Sequence, residues 1–408
     1  MKKRLLLINP NFIRKIEGQT PLNLAYLAAA VEKYADVKIV DLNVEPEQNL
    51  YNVLKEFNPT HVGVARYTPN SIDSIKLLRK IHSAHPKSIL ITGGPHEIYR
   101  GHITKEMYPW INYVVRDKNG EQQLARILCE DESIIVNWKE IFPAYYLLNM
   151  SEQSYRFASE IFPGKKMLQY MTARGCTMGC SFCPSGRYEA KEVKIVIGHL
   201  EKIIDMGYNA VFFNDVNFAA DPVRTEQLMK AMLEKGLNKK LEWGCQTTAN
   251  QSLSDDLIKL MAKAGCSYIT YSLENVSKEA LQRINKRIDP ETVMHKCIVA
   301  KKAGMKLGLY VMFGILNDET DDFYWAKKTL DKVAEIKPDF VSYSILAHYP
   351  NYNPSLPYET KRFGTEKVWE FFDEGCAYHP FCSPEYAEKI KKEILKRHRN
   401  ELREVRKF

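Results

Sequence analysis

Long apolar runs are missing from this chain. No stretch approaches the roughly 18–20 uninterrupted apolar residues that a membrane-spanning helix needs. The basic start Met1-Lys2-Lys3-Arg4 is followed only by Leu5 to Ile8 before Asn9-Pro10-Asn11. That run is too short for a signal-peptide apolar region and reads as a first strand. Cysteine is scarce, nine in 408 residues, and the number is odd. A disulfide scaffold is therefore excluded, and the expected compartment is the reducing cytoplasm, where clustered cysteines serve as metal ligands. A broad single-sign charge is also missing. The net charge is +8, but Glu388–Phe408 alone holds nine Lys and Arg against four Glu, so the rest is mildly basic and no nucleic-acid partner is expected. What is present is an ordinary globular composition, 45% hydrophobic and 26% charged, long enough for two or three domains.

Up to residue 130 strands and helices alternate. Arg4–Asn9, Asp36–Leu42, His61–Tyr67, Ser88–Thr92 and Ile111–Val115 read as strands. Leu22–Tyr34, Glu45–Phe57, Ser71–Ala84 and Gln122–Cys129 carry helical apolar spacing. The pattern predicts an α/β, Rossmann-like, doubly wound parallel sheet over 1–130, with ligands beyond the strand carboxyl ends. Residues 131–165, with Trp138, Tyr145, Tyr146 and Phe162, break the alternation. They form an aromatic connector that is expected to pack. Alternation resumes over 166–350, with strands at Met167–Ala173, Asn209–Asn214, Leu241–Gln246, Ser267–Glu274, Lys306–Gly314 and Phe340–Leu346. The intervening helices end in Gly207, Gly236, Gly265 and Gly304, as helix C-termini do. Six such repeats predict an open (β/α)6 partial barrel, with its chemistry at the strand carboxyl ends. Residues 351–408 read as loop and then helix, a small helical C-terminal region.

Directly after the first barrel strand stands Cys176-Thr177-Met178-Gly179-Cys180-Ser181-Phe182-Cys183. This C-x3-C-x2-C loop can bring three thiolates onto three corners of one [4Fe–4S] cube, leaving the fourth iron without a protein ligand. A zinc site would call for a fourth Cys or His nearby, and none is there.

The spacing, the aromatic Phe182 before the third cysteine and the position after the first barrel strand resemble the radical S-adenosylmethionine (SAM) enzymes. The resemblance implies that Cys176, Cys180 and Cys183 hold a [4Fe–4S] cluster whose open iron takes the amino and carboxylate groups of SAM. It further implies one-electron cleavage of SAM to a 5′-deoxyadenosyl radical, fed by a donor such as flavodoxin or ferredoxin. The segment from Val211 to Phe218 resembles the family's second-strand motif, with Asn214 in place of the first acid; Asn214 and Asp215 would face the SAM amino group. Tyr271-Ser272-Leu273-Glu274 resembles the fourth-strand motif, offering Ser272 and Glu274 to polar SAM groups, with Lys286 following. The segment from Val311 to Thr320 resembles the adenine-side motif around Gly314, although it is longer and lacks the customary proline.

A Rossmann-like domain ahead of such a barrel resembles the cobalamin-binding branch of that family. The segments are Val40-Asp41-Leu42-Asn43, Ile91-Thr92-Gly93-Gly94-Pro95-His96 and the stretch through Gly120-Glu121, in which only half of a Gly-Glu-Gly-Glu pattern survives. The resemblance implies cobalamin, with Gly93, Gly94, Gly120 and Glu121 admitting its tail by close backbone approach. Arg66, Tyr67 and Thr68 would lie under the corrin. The loop Asn9-Pro10-Asn11-Phe12-Ile13-Arg14 lacks the Asp-x-His-x-x-Gly motif that supplies a cobalt ligand, and His96 reads as a tail-pocket or structural histidine. The alternative is a domain that binds nothing and only shapes the active site.

Absences separate the branches. Only Cys129 precedes Cys176, unlike methylthiotransferases, which carry three further cysteines there. Cys376 and Cys382 are too few for an auxiliary cluster; with His379 they could flank a metal, but no fourth ligand is evident. The reading is a cobalamin-dependent radical SAM methyltransferase acting on an unactivated carbon, with a protein or peptide among the possible substrates. The rivals are a cyclase or rearrangement enzyme of the same architecture and a non-enzymatic corrinoid carrier, against which the complete cysteine triad argues. No side chain is singled out as a general acid or base.

Overall fold

The computed structural model describes residues 2–10, 20–150, 161–346 and 383–398. Cys376, His379 and Cys382 lie outside the described residues, as do residues 11–14 of the loop after the first strand. The chain forms two compact units that divide between residues 160 and 161.

The first unit is a five-stranded sheet built from β1 (Lys3–Asn9), β2 (Ala35–Asp41), β3 (His61–Ala65), β4 (Ile89–Gly93) and β5 (Tyr113–Val115). The order is β2-β1-β3-β4-β5, and every pairing is parallel. Burial on both faces follows from β1 itself. Leu6 and Ile8 pack on one face with Leu50, Leu54, Leu78 and Ile81, while Leu5 and Leu7 pack on the other with Leu24, Ala28, Val31 and Leu124. Adjacent strand residues point to opposite faces, so a run without alternation must be covered twice. One helix was not anticipated from the sequence. Pro95–Met107 follows β4 directly, with Pro95 at its first turn; its weak apolar periodicity hid it, although proline is favoured there. The connector packs where it is described. Trp138 and Tyr145 are buried, and Ile141, Ala144 and Leu147 join the core of this unit.

The second unit is a six-stranded sheet of β6 (Met167–Tyr170), β9 (Ala210–Phe213), β10 (Glu242–Thr247), β11 (Cys266–Glu274), β12 (Lys306–Phe313) and β13 (Phe340–Ile345), parallel throughout and in sequence order. Gly207, Gly236, Gly265 and Gly304 all take positive φ after their helices. The expected first barrel strand is shorter than its apolar pattern. It stops at Tyr170, and the chain forms an antiparallel ribbon of β7 (Ala173–Arg174) and β8 (Glu189–Ala190) instead. The ribbon closes the base of the loop that carries the three cysteines. The helix Pro384–His398 belongs to this unit, and its Tyr386 is buried.

Candidate active site

The cysteine loop leaves β7 through Gly175, whose φ is +74°. A Cβ there would stand 2.0 Å from the Arg187 carbonyl oxygen, so only glycine allows the ribbon to close. Inside the ribbon the Cys176 amide donates to the Gly186 carbonyl at 3.0 Å. Cys176, Cys180 and Cys183 are all half-buried and unpaired. Phe182 packs into an apolar cluster with Ala280, Ile284, Met312 and Ile315, which fixes the loop by its middle.

A second segment grips the loop from outside. The Ser181 amide donates to the Ile284 carbonyl at 3.0 Å. Asn285 Nδ2 donates to the Gly179 carbonyl at 2.8 Å, and an Arg287 guanidinium nitrogen donates to the Met178 carbonyl at 2.8 Å. Lys286, between them, forms a buried ion pair with Glu274 at 3.0 Å. Burial pulls the Lys286 ammonium down, but Glu274 and the sulfurs of Cys180 and Cys183 outweigh it and hold the pKa above its ordinary value. Of these four latch residues only Lys286 was singled out from the sequence. Backbone acceptors in a distant loop leave no pattern in the residues that reach for them.

The three thiols suit a cluster. Burial pushes the Cys180 thiol up to about 11, with Lys286 opposing, so its thiolate needs a positive partner, which bound iron supplies. The Met178 amide and Asn217 Nδ2 donate to Cys176 Sγ at 3.5 and 3.6 Å. Among the described residues no three His, Cys, Asp or Glu side chains converge on a single ion. Ligands of three separate corners of a cube do not converge either.

Around the strand ends the anticipated SAM residues fall into two groups. Asn214 is exposed just past β9. Ser272 is half-buried on β11. Glu274 follows a register shift and takes φ +55°, a conformation rarely adopted without constraint. Glu274, through its ion pair with Lys286, and the remaining two are engaged by the fold. Asp215, expected at the SAM amino group, is 1% exposed; its oxygens accept from the Thr172 amide at 2.6 Å and the Thr172 hydroxyl at 2.5 Å. Burial raises its carboxyl to about 6 against those hydrogen bonds. The Gly314 amide, expected near adenine, donates to Asp322 at 2.9 Å. Asp322 also accepts from the Ile315 and Leu316 amides and the Tyr386 hydroxyl. Asp322 was missed because, in sequence, it is one of several acids opening a helix.

In the first unit the strand order 2-1-3-4-5 reverses direction between β1 and β3, where a doubly wound sheet opens a ligand crevice beyond its carboxyl ends. Thr68 and Asn70 lie in the turn after β3. Asn70 Oδ1 accepts from the Tyr67 amide at 3.0 Å, while its Nδ2, in a side chain 1% exposed, has no partner. A corrin rim of amide carbonyls suits such a donor. Arg66 is different from its expected role under the corrin. It is 1% exposed, paired with Glu97 at 3.1 Å and bonded to Thr104 at 2.7 Å and the Ser71 carbonyl at 3.0 Å. Tyr67 is half-buried. His96 is fully buried with Nδ1 3.3 Å from the Thr68 hydroxyl, and burial with nearby Arg66 and Arg100 lowers its pKa to about 3. Gly94 owes its φ of +116° to its own fold, because a Cβ would stand 2.7 Å from the Arg66 carbonyl oxygen. Gly93 would crowd Val115 at 3.2 Å. Both glycines are thus required by neighbouring backbone and side chain, whatever else approaches them. Gly120 opens the helix Gly120–Cys129 under ordinary contact, and Glu121 is buried in its first turn.

Fold and site together define a parallel partial barrel carrying a three-cysteine loop, preceded by a doubly wound parallel sheet. Residues 170–325 match the radical SAM superfamily, and residues 16–125 match the B12 binding domain. An uncharacterized methyltransferase of Pyrococcus horikoshii is 26% identical over 85% of this chain and 81% of its own length. An anaerobic magnesium-protoporphyrin IX monomethyl ester cyclase of Cereibacter sphaeroides is 21% identical over 85% of this chain and 62% of its own length. The fold is similar to that of the radical SAM methyltransferase TsrM from Kitasatospora setae, solved with cobalamin and a [4Fe–4S] cluster, with a TM-score of 0.68 at 16% identity over 88% of this chain and 78% of that one. The chain carries a B12 binding domain followed by a radical SAM domain. Its cofactors are a [4Fe–4S] cluster, SAM and cobalamin.

Proposed function

We propose that this chain transfers a methyl group from SAM, by way of the corrinoid, to an unactivated carbon of a sizeable acceptor, a peptide or protein being the first class to try. When bound, the cluster, SAM and cobalamin supply the one-electron cleavage and the methyl relay; the protein supplies placement and exclusion of water. The observation that carries the reading is the cysteine loop, closed at its base by Gly175 and gripped at Met178, Gly179 and Ser181 by the segment Ile284–Arg287. In this reading Cys176, Cys180 and Cys183 bind the cluster. Asn214, Ser272 and Glu274 orient the polar groups of SAM, with Phe182 and Gly314 at its edges. Asn70 and Thr68 meet the corrin, with Tyr67, Gly120 and Glu121 nearby. A one-electron protein donor such as flavodoxin or ferredoxin feeds the cluster, and the expected compartment is the cytoplasm; among the described residues no helix is long and apolar enough to cross a membrane.

The reconstituted, reduced chain should be incubated with cobalamin and SAM carrying a CD3 group, peptides being the first acceptors offered. The expected products are S-adenosylhomocysteine, 5′-deoxyadenosine and an acceptor bearing CD3 in place of one hydrogen. Deoxyadenosine without S-adenosylhomocysteine, on a consumed acceptor, would establish instead a cyclisation or rearrangement, the reading favoured by likeness to the cyclase.

A further inference from the structure

Cys176 Sγ receives a hydrogen bond from a side chain outside its own loop. Asn217, four residues past β9, is 4% exposed. Its Oδ1 accepts from the Thr247 hydroxyl at 2.7 Å and from the Thr248 backbone amide at 3.0 Å. A backbone N–H can only donate, so the amide oxygen must face Thr248. The orientation of an asparagine amide is ordinarily a matter of assignment; here the partner's chemistry decides it. Nδ2 is left facing the other way, 3.6 Å from Cys176 Sγ. Thr247 is itself fixed, because its hydroxyl oxygen accepts the Ala219 amide at 3.1 Å and its hydrogen is thereby directed at Asn217. Two strand ends thus hold one N–H against the sulfur of a loop that follows a third.

We propose that Asn217 is a positioning residue that tunes the cluster. This rests on the reading that Cys176, Cys180 and Cys183 hold it. Reduction adds one electron, drawn from a one-electron donor protein, and breaks no bond. The added charge is shared by the sulfurs, and an N–H dipole aimed at one of them stabilises the reduced state more than the oxidised one. Asn217 therefore raises the reduction potential and eases electron entry. The Met178 amide, donating to the same sulfur at 3.5 Å, acts alongside it and is present in every variant of Asn217.

The test compares anaerobically reconstituted full-length wild type, Asn217→Ala and Asn217→Asp, without SAM or acceptor. Iron is counted, and the reduced cluster is followed by EPR against applied potential. Wild type should hold about four irons per chain. Asn217→Ala should shift the reduction equilibrium towards the oxidised cluster by on the order of tenfold, the scale of one hydrogen bond, which for one electron is about 59 mV. Asn217→Asp keeps the acceptor for Thr248 but turns a carboxylate oxygen on the sulfur, and should shift it further in the same direction. Thr247→Val releases one side of the amide while keeping the donor, and should fall between wild type and Asn217→Ala. Full iron content with unchanged potentials in the Asn217 variants overturns the proposal. If both lose iron, Thr247→Val decides alone, and an unchanged potential there overturns it. A wild-type chain that assembles no four-iron cluster overturns the cysteine reading instead.

Discussion

Asp215 shows what single residues do at the strand ends. Its carboxyl sits in the interior and is raised from 3.8 to about 6 by burial, against the pull of the Thr172 hydrogen bonds. A carboxyl raised in the folded state costs nothing below the unfolded value, where both states are protonated. As pH climbs from 3.8 through about 6 the unfolded chain releases its proton first, and stability falls. The rise corresponds to about 3 kcal/mol at neutral pH. Asp215→Asn, whose amide can still accept from the Thr172 amide, should remove that slope. Denaturant titrations at pH 4 and pH 7 should show the wild type losing on the order of 2–3 kcal/mol more than the variant. Equal losses would mean that burial does not hold the Asp215 carboxyl above its unfolded value. Glu274 and Lys286 represent the other solution, two buried charges answering each other at 3.0 Å. Such a pair stabilises little on balance and costs heavily when one partner is removed.

The cysteine loop shows what an element adds. Its three cysteines are legible from spacing, but the loop is held by a ribbon and by the latch Ile284–Arg287, neither of which has a sequence signature. The hydrogen bonds of the latch run from residue 284 onward to residues 178–181, across about a hundred positions of chain. Gly175→Ala tests the ribbon. A left-handed alanine costs about 1–2 kcal/mol, and its Cβ would collide with the Arg187 carbonyl oxygen, which is backbone and cannot swing aside. The expected outcome is a chain destabilised by more than about 2 kcal/mol and under-loaded with iron after reconstitution. Gly207→Ala is the control, since it also has positive φ but no atom within 4 Å of the added Cβ. It should cost about 1 kcal/mol and leave the iron content unchanged.

At the scale of the whole molecule two units carry separate cofactor chemistry, and each can be probed in the intact chain. Cobalamin bound to the folded first unit stabilises it by mass action, by about 2.7 kcal/mol when the ligand is at a hundred times its dissociation constant. Thermal melts of the full chain should therefore show an upward shift of the transition that reports this unit, growing with hydroxocobalamin concentration. No shift at saturating concentrations would remove cobalamin from the account while leaving the cluster in place. His96, buried with its Nδ1 3.3 Å from the Thr68 hydroxyl, predicts that the Co(II) spectrum carries no nitrogen splitting from it.

The features that could be read before folding are periodic or local. The five strands of the first sheet, the six of the second, the glycine helix ends and the C-x3-C-x2-C spacing are repeats or short patterns, and the structure has the sheets and the helix ends where those patterns fall. The helix Pro95–Met107 escaped because its apolar spacing is weak, and β6 stopped short because Ala173 and Arg174 pair with Glu189 and Ala190 instead. Which polar residues the fold itself consumes became visible in three dimensions alone. Arg66, Asp215 and the Gly314 amide stand at motif positions, yet each is occupied by a partner distant in sequence: Glu97, Thr172 and Asp322. A motif records which residue stands at a strand end. Which way its polar atoms turn depends on the burial cost of leaving them unpaired and on the nearest partner that can prevent it.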